Sequence, residues 1–435
     1  MKKIVSLAVV LTVSCVTFAQ NADKYIREKD VRRIIKTLSA DDMMGRPAMQ
    51  PERIEKATLF IEKEFKKIGL KPLTGLTGFR QEFQKEQMSL RQLEVTIDGE
   101  KISAENLLLV SEKTELQIDK GLTVQAIDFD KTAANQDQYF FNKAFGLVRD
   151  TSSALVLIAP EFQNNFKEFK GYLARRFRSG KKSTKVFVVG KSAATSYSIK
   201  AKQDVATIKM NNVVGMLEGK TKPEELVVFS GHYDHIGILK PVNGDSIANG
   251  ADDDASGTTA VIELARHFKK SKNNNRSIIF VAFTAEEIGG YGSQYFSKQL
   301  DADKVVAMFN IEMIGKPSKW GKNSAFITGF ERSDFGTILQ KNLQGTAFQF
   351  QPDPYPEQDL FYRSDNATLA RLGVPAHSIS TDQIDSDKLY HSVDDEFESM
   401  DIDNITKTIK AIALSAKTIV DGTDTPKRID KAGVR

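Results

Sequence analysis

LVVFSGHYDHIG, residues Leu226–Gly237, is the stretch from which the rest of this chain is read. Its β-favouring residues end in glycine and are followed at once by His232, Asp234 and His235, so a buried strand delivers polar side chains at its C-terminal end. In open α/β sheets the ligand crevice lies outside those ends. Asp234 is placed to orient His232, as a carboxylate does when it accepts from the second ring nitrogen of a metal-bound imidazole. A loop histidine beside a turn aspartate reads the same way from these two residues alone. NGADDDASG, Asn249–Gly257, then sets three consecutive aspartates, Asp252–Asp254, before Thr258–Lys270, which has apolar residues at helical spacing and a basic end. Adjacent carboxylates repel one another and tolerate crowding better around a cation. One of them can cap the helix while its neighbour binds metal. Imidazole and carboxylate donors together point to zinc.

The pattern of a strand delivering charge repeats. SIIFVAFTAEE, Ser277–Glu287, ends in adjacent glutamates before a GGYGS turn at Gly289–Ser293. Such a pair can divide two jobs, one carboxylate coordinating a Lewis acid and the other, Glu286 or Glu287, taking a proton from water that the ion has acidified. VVAMFNIEMIG, Val305–Gly315, carries Glu312 in an otherwise apolar run, where an unpaired carboxylate is costly. Well downstream, Tyr390-His391-Ser392-Val393-Asp394-Asp395 offers another imidazole and a phenol.

With RSD at Arg363–Asp365 and GVPA at Gly373–Ala376, these motifs stand in the order found in co-catalytic dizinc exopeptidases. The sequence resembles the family that contains bacterial leucyl aminopeptidase, glutamate carboxypeptidase and glutaminyl cyclase. The resemblance spans roughly residues 212–416, with a weaker match at LSADDMMGRP, Leu38–Pro47, and the helix after it. It implies an α/β fold, a three-layer, mostly parallel mixed sheet flanked by helices. It also implies two zinc ions bridged by Asp253, with Glu287 and His391 on one and His232 and Glu312 on the other. Glu286 is then the general base, Asp234 the partner that orients His232, Asp254 the residue after a cis peptide bond, and Tyr390 a donor to the oxyanion. Two positions depart from the commoner pattern. Glu312 stands where aspartate is frequent, which bears on the second metal, and Asn366 stands where a histidine is frequent.

The expected activity is hydrolysis of peptides from a free terminus. Glu312 or Glu286 can pair with an α-ammonium group, which favours an aminopeptidase. A carboxypeptidase needs a cation for the substrate carboxylate, and Arg363 and Arg371 are available. A glutaminyl cyclase uses the same scaffold with one zinc. A peptide-binding surface protein without catalysis is the reading outside the enzymes.

Composition and patterning set the frame. The 435 residues, 40% hydrophobic, can bury a large core and more than one unit. Residues 1–19 have a basic start, an apolar stretch and small residues ending in Ala19, the form of a secretory leader; the apolar part is shorter than a membrane span of about 20 residues. Export to the periplasm or medium is therefore expected. The single cysteine, Cys15, lies inside the leader, which leaves the mature chain without disulfides and makes lipid anchoring at Cys15 the lesser alternative. Without Lys2 and Lys3 the formal charge falls from +4 to +2, too near neutral for a dedicated nucleic-acid binder. Residues 20–87 read as a helical N-terminal part of the catalytic domain, 88–206 as a smaller, mostly β insert with a helix around Gln163–Arg178, and 207–435 as the main catalytic domain. The basic run Lys170–Lys185 reads as a solvated face. FQFQPDPYPEQDLFY, Phe348–Tyr362, fits either a packed connector or a wall of a substrate pocket. His235, His267 and His377 are read as non-ligands.

Overall fold

The computed structural model describes residues 22–174 and 177–434; the leader with Cys15, and Arg175 and Arg176 of the basic run, lie outside them. The described chain forms two compact units. One joins the residues up to Phe83 with those from Met210 onward, and the other is Gln84–Lys209.

The larger unit is built on a mixed sheet with strands in the order Gln349–Pro352, Ser324–Ile327, Ala376–Ser380, Val305–Ile311, Lys222–His232, Arg276–Phe283 and the 213–217 end of Tyr197–Leu217. The four central strands run parallel. Antiparallel pairing enters towards the margins, at Ser324–Ile327 against Ala376–Ser380 and at residues 213–217 against 278–282. Central strands such as SIIFVAF are apolar without alternation because both faces are covered. Val227, Phe229, Ile278, Phe280 and Phe309 pack with the helices Glu28–Leu38, Pro51–Ile68, Gly257–Ser271 and Ile402–Ser415. Val228, Ile279, Val281 and Met308 face the other way, against Phe296 of Tyr291–Gln299 and Leu369 of Asn366–Ala370. The result is the three-layer α/β architecture.

Register places the ends of these strands together. His232, last in its strand, pairs with Phe283, last in its own, and Glu312 follows Ile311 directly. The loops after all three strands therefore leave the sheet at one edge, the C-terminal edge of its parallel part.

In the second unit, Leu107–Val110, Lys185–Val189, Ala154–Ile158 and Thr123–Ile127 form a four-stranded sheet. One face packs on Phe166 and Phe169 of Gln163–Leu173 and on Phe140, Ala144 and Val148 of Gln136–Arg149. The latter helix is absent from the sequence reading, since clustered phenylalanines mask its spacing. Within the basic run, Lys170, Lys181 and Arg178 are tied to Ala104, to the carbonyls of Val148 and Arg149, and to Glu86. Among the described residues no helix is long and apolar enough to cross a membrane.

Candidate metal centre

The central imidazole is His232, 1% exposed at its strand end. Its N–H donates to Asp254 Oδ2 at 2.9 Å, its carbonyl accepts from Thr258 Oγ1 at 2.7 Å, and its ring Nδ1 lies 3.0 Å from the carbonyl oxygen of Asp234. The Asp234 carboxylate stands farther off, at 3.8 Å, and accepts instead from the Glu286 N–H at 3.1 Å. Asp234 thus orients His232 through its main chain, a correction to the carboxylate–imidazole pairing expected from HxD. Its side chain positions the Glu286 loop, and burial pushes that carboxyl up to about 7.

The three aspartates divide their work. Asp253 presents Oδ1 at 3.1 Å from His232 Nε2 and Oδ2 at 3.2 Å from His391 Nε2. The Asp253–Asp254 peptide is cis. Asp254 joins three segments, accepting from the N–H groups of His232, of Gly257 at the helix start and of Met313. Asp252 accepts from the Gly315 N–H at 2.7 Å. The turn is held from below by Asp395, the last acid of YHSVDD, which accepts from the N–H groups of Asp252 and Asp253. The chain at Gly250 has a φ of 59°, and a Cβ there would meet the Asp253 carbonyl at 2.3 Å, so only glycine fits.

Two donor groups meet at Asp253. Glu312 Oε1 stands 3.1 Å from His232 Nε2, and its Oε2 accepts from Ser364 Oγ at 2.6 Å. Glu287 Oε2 stands 3.0 Å from His391 Nε2. Ala285, Met313 and His391 all adopt left-handed backbone at φ 61°, 48° and 55°. Strain of this kind, of order 1–3 kcal/mol per residue, collects where side chains must be aimed. Zinc–donor distances of about 2.0–2.2 Å put tetrahedral ligands roughly 3.3–3.6 Å apart. The separations found here are 3.0–3.2 Å, so small movements admit an ion in each group. The donor set, imidazole with carboxylate, fits zinc as well.

The charge balance argues the same way. Burial lifts Glu286 well above the carboxylate range, with Glu312, Asp365 and Glu287 adding to the effect against His232. Asp253 is held well below its usual range despite burial, by hydrogen bonds and charges from His232, His235 and His391. Burial, with Asp253 and Glu287 nearby, drives the Tyr390 phenol far up, so it remains a donor. Its ring stacks on His391 with centroids 3.9 Å apart.

His235 departs from its reading as a residue apart from the ligands. Its Nδ1 lies 2.7 Å from Glu287 Oε1 and 3.8 Å from Asp253 Oδ2, and His235, Asp253 and Glu287 converge closely enough to hold an ion. The signal was present in the sequence, two imidazoles within four residues of one strand end. A second residue absent from the sequence reading as a working part is Arg46 of LSADDMMGRP. Fully buried, its guanidinium donates to the carbonyls of Leu38, Tyr233, Asn249 and Gly250 at 2.5–2.8 Å, clamping the loops that carry His232 and Asp253. Asn366 sits apart from the donors, bonding to the Phe361 carbonyl and Ser378 Oγ. His377 bonds to the Thr328 carbonyl and Ser333, and His267 is packed in its helix beside Phe268.

The donors open on a cleft lined by Asp253, Glu286, Glu287, Glu312 and Tyr390, with Met313, Phe326, Leu360 and Ile384 as apolar wall. Of FQFQPDPYPEQDLFY only Leu360 reaches it, whereas Phe348, Phe350 and Tyr355 are buried in packing.

Comparison with known proteins finds peptidases. The profile of Peptidase family M28 matches residues 212–416. A probable zinc metalloprotease of Leptosphaeria maculans is 36% identical over 145 residues, 32% of this chain and 33% of that protein. A probable leucine aminopeptidase of Trichophyton verrucosum is 29% identical over 216 residues, 48% of this chain and 56% of that protein. The chain thus spans about a third and about half of the length of these two relatives. Among solved structures, an aminopeptidase from Aneurinibacillus sp. strain AM-1 superposes with a TM-score of 0.58 at 17% identity, covering 96% of this chain and 98% of the other, a likeness of fold. Residues 212–416, which hold all the proposed ligands, thus match the profile of Peptidase family M28.

Proposed function

We propose that this protein is a zinc-dependent exopeptidase that removes N-terminal residues from peptides. The observation that carries the reading is the meeting of two donor groups, His232 with Glu312 and His391 with Glu287, on the two oxygens of Asp253. These residues would hold two zinc ions with Asp253 shared between them, and Glu286 lines the same cleft. Zinc, when bound, polarises the scissile carbonyl and lowers the pKa of water towards 7. Glu286, which lines the cleft, takes the proton of the attacking water and hands it to the leaving amine. Tyr390 donates to the oxyanion, where charge develops only in the transition state. Glu312 or Glu286 receives the α-ammonium group. Asp234 and Asp254 keep the loops in register. Relatives named leucine aminopeptidase and the aminopeptidase-like fold support this assignment.

The leader-like residues 1–19 support export, which sequencing the N-terminus of the mature protein checks. The activity is tested with paired substrates, free and N-acetylated aminoacyl p-nitroanilides and dipeptides. Hydrolysis confined to the free forms is expected. Hydrolysis confined to N-blocked peptides with a free C-terminus would transfer the assignment to a carboxypeptidase, and cyclisation of N-terminal glutamine at one zinc per chain to a glutaminyl cyclase.

A further inference from the structure

The proposed cycle leaves one carboxylate of the cleft without a task. Asp382, two residues past the strand Ala376–Ser380, lines the cleft and is only 4% exposed, yet neither Oδ1 nor Oδ2 has a hydrogen-bond donor. Its main chain is fixed, because its N–H donates to Ser380 Oγ at 3.1 Å and Ser380 Oγ donates to the Met313 carbonyl at 3.0 Å. Asp252 and Asp387 lie close enough for the three carboxylates to surround one cation. Lys316 already serves those two, with Nζ at 3.2 Å from Asp252 Oδ2 and 2.5 Å from Asp387 Oδ2. Asp252 also holds the Gly315 N–H, and Asp387 the Leu389 N–H. Asp382 is left facing other carboxylates, which can do no more than share a proton with it. Burial beside Asp252 and Asp387 accordingly pushes it up to about 8.

A buried acid without a donor is costly unless something brings it one. The approach to Asp382 is the substrate cleft, whose other wall residues include Met313, Phe326, Thr328, Leu360 and Ile384. Apolar walls leading to an acid suit a side chain with a methylene stem and a cationic head, the form of lysine and arginine. We infer that Asp382 is the acidic end of the pocket for the substrate's N-terminal side chain, and that it directs the enzyme to peptides beginning with lysine or arginine. This rests on the aminopeptidase reading, since only there does that side chain enter beside the metals. Arg363 also lines the cleft, but its guanidinium is held 3.0 Å from Gln358 Oε1.

The test uses lysine and norleucine, whose stems match and whose heads differ in charge. On the zinc-loaded protein, kcat/KM for lysyl p-nitroanilide should exceed that for the norleucyl compound by about 10- to 100-fold, the range for a hydrogen bond to a charged group. Free L-lysine should outbind L-norleucine by a similar factor in calorimetry. Asp382→Asn should bring both ratios close to one. Equal or better handling of norleucine by the unaltered protein, or an unchanged ratio in the variant, overturns the assignment. So does stoichiometric calcium or magnesium binding that disappears in Asp382→Asn without any lysine preference, which would give the three acids to an ion. If no anilide is cleaved, the peptidase reading fails, and the binding ratio still decides whether the pocket selects a cation. Should Asp382→Asn not fold, the lysine-to-norleucine comparison in the unaltered protein decides alone.

Discussion

Glu287 receives two imidazoles, His391 on Oε2 and His235 on Oε1, and the second contact fixes which way the carboxylate points. Partners of this kind typically change metal affinity by 10–100-fold. His235→Ala should therefore weaken zinc binding by about that factor in competition with a chelator, while His235→Asn, which keeps a donor, recovers part of it; equal affinity in all three proteins would remove His235 from the centre. Protons report on the same residues. Burial pulls the His391 imidazole down, but Asp253 and Glu287 outweigh it and hold it up to about 10. An imidazole must lose its proton to coordinate, so zinc binding at pH 7 should release protons, and affinity should fall as the pH is lowered. Calorimetry in two buffers of different ionisation enthalpy measures the release, and none at all contradicts the site. His232, Asp253, Glu287 and Glu312 stood out in the sequence because each follows an apolar strand or stands in an acidic run, whereas His391 and the division of ligand roles came from the family resemblance. His235 was not, since a second histidine so near the first reads as loop until the fold shows what it faces. The main-chain role of Asp234 was equally hidden, because residue type cannot tell which of its oxygens an imidazole will meet.

At the scale of elements, the site depends on loops held by buried polar groups rather than by apolar packing. Arg46 donates to four carbonyls at the base of the His232 and Asp253 loops, and Asp395 accepts from two N–H groups beneath the metal-binding turn. Removing the guanidinium leaves those carbonyls buried without donors, a loss of about 3–5 kcal/mol. Arg46→Met should lower the urea midpoint accordingly and reduce zinc content, whereas an unchanged midpoint would mean that water replaces the clamp. The strands and helices around these loops followed from local pattern. Lys222–His232, Arg276–Phe283 and Gly257–Ser271 lie within a few residues of where apolar runs and helical spacing put them. The helix Gln136–Arg149 did not, since QYFFNKAF presents aromatics on several sides at once, and only the sheet of its own unit selects the buried ones.

At the scale of the whole molecule, the layers of the larger unit and the separate core of the smaller one supply stability, and zinc at the proposed site would add to it by mass action. A ligand at 100 times its dissociation constant contributes about 2.7 kcal/mol. In a protein of 435 residues that corresponds to a Tm shift of roughly 3 °C. Chelation should lower Tm by that amount and zinc should restore it, while an identical Tm with and without chelator would argue that no ion is bound. The layer order was legible from strands buried on both faces, whereas the antiparallel pairing towards the sheet margins depends on which strands become neighbours, and no local pattern states that. The central claim is that Asp253, Glu287, His391, His232 and Glu312 hold paired zinc for a water that Glu286 deprotonates. Zinc content and turnover of Glu286→Gln and Glu287→Ala, measured side by side, test it most directly. Glu286→Gln should keep the zinc of the unaltered protein and lose at least about 100-fold in kcat, and Glu287→Ala should lose zinc as well as activity. Equal zinc retention in the two variants, or full turnover in Glu286→Gln, would contradict the account.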